Sequence, residues 1–289
     1  MNVPNIVFSV NNDFISYLIV AIRTLASNNS YPININVIYT QLSKKNISRI
    51  DLLCKKNDYK LILHKIDRSV FINAPEMGHL KLETYYRLSI PKLIKEKSAL
   101  YLDCDIYINS NIKELFELNI DNYAIAAVED PSYQPIKKLK MNPSSVYFNA
   151  GILLLNLDFW RENNISEKVI DYAINNIEII SYADQCALNA IIDGNFLPLD
   201  KYYNFQSDHI DLINENVLEE LNNSKIIHFT GAHKPTHYLS THPFKDEYLS
   251  EFKKTPQYFK FRLKNAIRIM LKMTNLELLP FIIRKLFKL

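Results

Sequence analysis

Ala99-Leu100-Tyr101-Leu102-Asp103-Cys104-Asp105-Ile106-Tyr107-Ile108 joins two β-rich apolar runs through a pair of carboxylates spaced i, i+2. The first run has the make-up of a buried strand, so Asp103 and Asp105 fall at its carboxyl end. In an α/β sheet that end is where ligands bind. If the backbone bends between the runs, both acids reach one divalent ion. Hard oxygen ligands suit Mg²⁺ or Mn²⁺ that also carries a diphosphate. The same residues also read as an acidic turn closing a strand, and by themselves they leave that choice open.

Upstream, Asn5–Val10 reads as a short buried strand that ends in the polar Asn11-Asn12-Asp13. Phe14–Ala26 carries Tyr17, Leu18, Ala21, Ile22 and Leu25 at helical spacing. Ile33–Tyr39 is a second strand, Ser43 is placed to cap a helix running to Lys56, and Tyr59–His64 is a third strand. This β-α-β-α-β opening predicts an α/β fold with a parallel sheet and right-handed crossovers. The spacing predicts a helix over 82–94 that brings Arg87 inward, with Pro91 inside it as a kink or stop. Downstream, Asn122–Val128 reads as a strand ending at Glu129-Asp130. Pro131, Pro135 and Pro143 mark 131–145 as a loop over the site, and Tyr147–Asn156 is a strongly apolar strand. Helices follow from Leu157, Ser166 and Tyr182, the last running to Ile192. Lys225–Phe229 is a late strand.

The chain has 289 residues, 48% hydrophobic and 22% charged, which is ordinary globular composition. Its 4 glycines form no GxGxxG and no P-loop, which argues against nicotinamide enzymes and P-loop NTPases. Cys54, Cys104 and Cys186 are too dispersed for a zinc site or disulfide framework and fit a reducing cytosol. Met1–Val10 lacks the pattern of a signal peptide. No apolar stretch of about 18 residues predicts a membrane span.

Charge is uneven. From Gln257 on, eight basic residues face one acid, so the tail carries +7 of a net +3 and the first 256 residues carry −4. Lys260, Lys264, Arg268 and Lys272 form one helical stripe, and Phe259, Leu263, Ile267, Met270 and Leu271 lie on another face. Leu278–Leu289 interleaves Phe281, Ile282, Ile283, Leu286 and Phe287 with Arg284, Lys285 and Lys288. The expected division is a catalytic domain over 1–256 and a basic amphipathic segment over 257–289 that lies on anionic lipid. A terminal helix pair docked on the body is the alternative. The rich apolar face argues against nucleic acid.

Six pieces in order resemble family 8 retaining glycosyltransferases, especially the bacterial lipopolysaccharide galactosyl- and glucosyltransferases. They are Ile6-Val7-Phe8, Thr84-Tyr85-Tyr86-Arg87-Leu88, Tyr101-Leu102-Asp103-Cys104-Asp105, Tyr147-Phe148-Asn149-Ala150-Gly151, Asp184-Gln185 and His228-Phe229-Thr230-Gly231-Ala232-His233-Lys234-Pro235. The resemblance implies a Rossmann-like, glycosyltransferase A-type fold and a UDP-sugar donor, UDP-galactose or UDP-glucose. It implies Mn²⁺, with Mg²⁺ as the other option, held by Asp103, Asp105 and His228. It places Lys234 and Gly231 at the diphosphate, Arg87 at the donor sugar or diphosphate, and Asn149 and Asp184 on sugar hydroxyls. Gln185 falls near the reacting face and Cys104 within the donor-binding stretch. Asn11 and Asp13 stand where relatives carry an Asp and an Asn, which alters the expected base contact. His79, Thr84 and Tyr182 match acceptor regions. On this footing the expected protein is a retaining hexosyltransferase acting on a glycolipid at the cytoplasmic membrane face. Transfer to a protein or storage glycan, or idle nucleotide-sugar binding, are the alternatives.

Overall fold

The computed structural model describes residues 3–78, 80–207, 216–231, 234–237 and 240–273. The chain opens β1 (Asn5–Ser9), α1 (Ile15–Asn28), β2 (Asn34–Tyr39), α2 (Lys44–Lys56) and β3 (Lys60–Lys65). Ser43 caps α2 by accepting from the Asn46 amide at 3.2 Å. The helix expected over 82–94 is instead a 3₁₀ helix, Leu82–Ser89, followed by one turn of α-helix, α3 (Ile90–Leu93). Pro91 is the reason. It has no N–H to give the Arg87 carbonyl and its ring crowds that carbonyl, so it is accepted only in the first turn of a new helix.

The rest of the chain runs β4 (Ser98–Leu102), β5 (Ile106–Ile108), β6 (Ile125–Glu129), β7 (Phe148–Asn156), α4 (Leu157–Glu162), α5 (Ile165–Asn175) and α6 (Ala183–Ile192). Then come β8 (Phe196–Pro198), β9 (Phe205–Gln206), α7 (Val217–Asn223), β10 (Ile226–His228), α8 (Lys245–Phe252) and α9 (Tyr258–Met273). The main sheet has the order β3-β2-β1-β4-β7-β6-β8, and β5-β10-β9 form a small second sheet. Within the main sheet β7 alone runs against its neighbours. The sheet is mostly parallel, as expected for this α/β fold.

Side chains of one strand alternate between two cores. Ile6, Phe8, Leu100, Leu102, Ile152 and Leu154 pack with α1 on one face. Val7, Tyr101, Leu153 and Leu155 pack on the other with Tyr85, Tyr86 and Trp160. Strands buried on both faces read as continuous apolar runs, which is why β7, buried along its whole length, is so plain in the sequence. At Asp103–Asp105 the chain bends out of the main sheet, pairing as β4 before the bend and as β5 with β10 after it.

Candidate active site

The bend after β4 and the end of β10 bring Asp103, Asp105 and His228 together. One ligand atom from each lies within 4.8 Å of the others. His228 Nε2 is 3.6 Å from Asp105 Oδ1 and 3.8 Å from Asp103 Oδ2. Two carboxylates and an imidazole are a donor set that fits Mn²⁺ or Mg²⁺, so the residues present suit the metal the resemblance implies. Gly151 lies against this cluster. A Cβ there would stand 2.2 Å from His228 Cε1 and 2.9 Å from Asp103 Oδ2, so only glycine permits the approach.

Each ligand is braced. Asp103 Oδ1 accepts from the Tyr101 hydroxyl at 2.7 Å and from Arg87 Nη2 at 3.3 Å. Asp105 pairs with Lys234 Nζ, which also donates to the Phe229 carbonyl at 3.3 Å. Burial alone would raise the Asp105 pKa, but the Lys234 charge holds it well below the usual carboxylate range. Burial likewise works against the Lys234 ammonium, and Asp105 outweighs it, so the Lys234 pKa rises. His228 Nδ1 lies 3.0 Å from Asn204 Oδ1. The His228 carbonyl accepts from Ser207 Oγ at 3.1 Å, and Ser207 is backed by His242 Nε2 at 2.9 Å.

Arg87 is buried, and each of its three nitrogens donates to a protein atom. They reach the Thr84 carbonyl (2.9 Å), the Ala150 carbonyl and Asp103, with the guanidinium 4.3 Å above the Tyr101 ring. Arg87 Nε is also 2.9 Å from Asp184 Oδ2. Its hydrogen points at Thr84, so Asp184 Oδ2 is held by charge and receives no hydrogen bond among the described residues. Burial pushes the Asp184 carboxyl up to about 6, against the opposing pull of Arg87. Gln185 Oε1 accepts from the Ala150 amide at 2.9 Å, and its Nε2 donates to Asp130 Oδ2 at 3.2 Å. Both residues open α6 just after Ala183, whose φ of 39° is left-handed and strained for an alanine.

Farther along the same sheet edge, the ends of β1, β2 and β3 line a cleft of about 710 Å³ with Asn11, Asp13, Lys65, Asp67, Arg68 and Glu83 among its walls. This cleft does not include the Asp103–Asp105–His228 cluster, which sits beyond it at the end of β4, the neighbour of β1. Asn11 Oδ1 accepts from the Asp13 and Phe14 amides at 3.0 and 3.2 Å, and its amide donates to Glu83 at 3.3 Å. Its side chain therefore shapes the turn as well as facing the cleft.

The other expected site residues are scattered in kind. Asn149 Oδ1 accepts from the Gly151 amide and from Asn204, both at 2.9 Å. Gly231 adopts φ 61°, a conformation that favours glycine. The Cys104 thiol turns back to the Ser9 carbonyl at 3.3 Å, and burial and the flanking acids push its pKa up. Thr84 donates to the Lys81 carbonyl at 3.0 Å. Tyr182 is half exposed and meets Tyr133 edge-on with ring centres 4.6 Å apart. His79 lies outside the described residues. Sequence reasoning gave no role to Asn204, Asp130, Tyr101 or Gly151. The last two stood inside quoted motifs and Asp130 at a noted strand end, whereas nothing local marked Asn204.

This sheet, with its acidic bend between two strand systems, is the glycosyltransferase A-type fold. Residues 5–240 match glycosyl transferase family 8, and the chain belongs to that family; it is a glycosyltransferase. It is 32% identical over 231 residues to general stress protein A of Bacillus subtilis, covering 75% of this chain and 80% of that one. It is 25% identical over 264 residues to the lipopolysaccharide 1,3-galactosyltransferase of Salmonella typhimurium, covering 87% and 78%. The fold matches the crystal structure of the galactosyltransferase LgtC with donor and acceptor sugar analogues at a TM-score of 0.77. There the identity is 20%, over 87% of this chain and 96% of that one.

Proposed function

We propose that the protein is a retaining hexosyltransferase that moves galactose or glucose from a UDP-sugar to a lipopolysaccharide or lipooligosaccharide acceptor. The carrying observation is the convergence of Asp103, Asp105 and His228, with Lys234 beside them, at the carboxyl end of β4. These three residues would hold Mn²⁺ or Mg²⁺, which when bound supplies Lewis-acid charge to the departing diphosphate. Lys234 brings a compact, mobile cation to the same oxygens. Gly231, left-handed and without a Cβ, leaves its own backbone open to close approach by a phosphate. Asn11 and Asp13 face the nucleotide from the β1 turn.

Asp184 is 3% exposed and sits against Arg87, a poor placement for a nucleophile. This favours front-face attack, with Gln185, oriented by Asp130 and the Ala150 amide, set at the reacting face. Tyr182, Thr84 and His79 belong to the acceptor side. Release of UDP from a panel of UDP-sugars, with Mn²⁺ and with chelator, tests the reading. Release that is unaffected by chelator removes the metal role, and a glycosyl adduct trapped on Asp184 or Gln185 removes front-face attack.

The segment 257–289 is assigned to an anionic membrane surface at the inner face of the cell membrane. Among the described residues no helix is long and apolar enough to cross a membrane. Helix α9 docks through Phe261 on Phe252, with ring centres 5.3 Å apart, and through Asn265 on the Thr236 carbonyl. Phe259, Leu263 and Met270 remain exposed along it, spaced as one helical stripe. The basic run from Leu278 lies outside the described residues. Deleting 257–289 is expected to release the protein from anionic liposomes while donor hydrolysis persists; unchanged liposome binding refutes the assignment.

A further inference from the structure

We propose that Asn204 is a positioning residue that fixes the His228 ring with a proton on Nδ1 and Nε2 presented to a metal, through a chain whose polarity starts at a backbone amide. The Gly151 N–H can only donate, and it donates to Asn149 Oδ1 at 2.9 Å. The oxygen of Asn149 is therefore fixed on that side, because a flipped amide would set donor against donor. The same oxygen lies 2.9 Å from the Asn204 amide nitrogen, which must donate to it. That orientation leaves the Asn204 oxygen 3.0 Å from His228 Nδ1. A carboxamide oxygen only accepts, so Nδ1 carries a proton, and Nε2 is the nitrogen left to meet a metal.

Nε2 is the atom that faces Asp105 and Asp103, at 3.6 and 3.8 Å, beyond hydrogen-bond reach. The ring thus aims Nε2 at two carboxylates with room between them. Asn149, Asn204 and His228 are 6%, 1% and 4% exposed, so water is not at hand to reverse the chain. The oxygen of Asn149 is consumed in this relay, which leaves its amide NH₂ for a ligand hydroxyl. A metal-bound imidazole is tuned by what its other nitrogen meets, and here that partner is a neutral amide reached through a glycine.

The inference rests on the reading that Asp103, Asp105 and His228 hold a divalent cation, and the test separates the two. Long-range ¹H–¹⁵N correlation on metal-free, ¹⁵N-labelled protein, with His228→Gln to assign the signal, should show His228 with a proton on Nδ1. A ring with no proton on Nδ1 overturns the relay. Calorimetric Mn²⁺ titration should show Asn204→Leu weakened roughly tenfold to a hundredfold. The same correlation on Asn204→Leu should show the His228 proton no longer confined to Nδ1. Wild-type affinity in Asn204→Leu, or an unchanged proton position there, overturns the relay in favour of simple packing. If Asn204→Leu does not fold, the tautomer measured on the wild-type chain still decides. Wild-type protein that binds no Mn²⁺ yet shows the Nδ1 proton refutes the metal reading and leaves the tautomer assignment standing.

Discussion

Two cation–carboxylate pairs flank the bend at Asp103–Asp105, and they are built for opposite purposes. Arg87 and Asp184 have side chains 5% and 4% exposed, whereas those of Lys234 and Asp105 are 28% and 16% exposed. Arg87 spreads a rigid fork over the Thr84 and Ala150 carbonyls and Asp103, so it ties three segments together. Lys234 has three donors on a rotatable ammonium and spends two, on Asp105 and Phe229. The lesson is that the same charges brace the fold when buried, and stay within reach of solvent when half open.

The contrast is most easily broken at Arg87. Arg87→Leu leaves the Asp184 carboxylate buried and unpaired, and at pH 8 should lower unfolding stability by about 3–5 kcal/mol in a denaturant titration. A loss below about 1 kcal/mol would show that Asp184 has other support. The pH dependence of the same pair comes next. The Asp184 carboxyl is raised by burial from the ordinary 3.8 to about 6, so the stability of its neutral form is full below the lower value and lost as pH rises through the upper one. Relative to Asp184→Asn, the wild-type chain should lose up to about 3 kcal/mol between those two values and nothing further above them. A flat difference contradicts the raised pKa.

On the open side, Gly151→Ala drives a methyl into His228 and Asp103, with an expected overpacking cost of about 1–3 kcal/mol. Mn²⁺ affinity should drop with it, and an unchanged affinity would mean that His228 has room to retreat. Smallest in stability is Lys234→Met, expected to cost no more than about 1–2 kcal/mol while UDP affinity falls roughly tenfold or more. Loss of folding with unchanged UDP affinity would reverse the comparison, making Lys234 the strut.

Legibility in the sequence followed the range of the interactions. Asp103 and Asp105 were readable because a strand and its end are local, as were β1, β2, β7 and the Ser43 cap. The 82–94 segment was misread in type, since its apolar spacing spoke for a helix while Pro91 and the demands of burying Arg87 imposed a 3₁₀ turn. Short strands such as β8 and β9 carried no pattern long enough to register. Arg87, Asp184 and Gln185 were named through resemblance, yet their mutual bonds were not, because each partner comes from a different element.

The sequence by itself determined an α/β sheet, the edge at which its chemistry sits, and the family through motifs whose order is linear. Periodicity, strand ends and proline are properties of neighbouring residues, so a string of letters can hold them. Only the tertiary structure decided that Asn204 meets both His228, 24 residues away, and Asn149, 55 residues away. Hydrogen-bond polarity and buried charge balance depend on which groups face each other after folding, and no spacing along the chain encodes that.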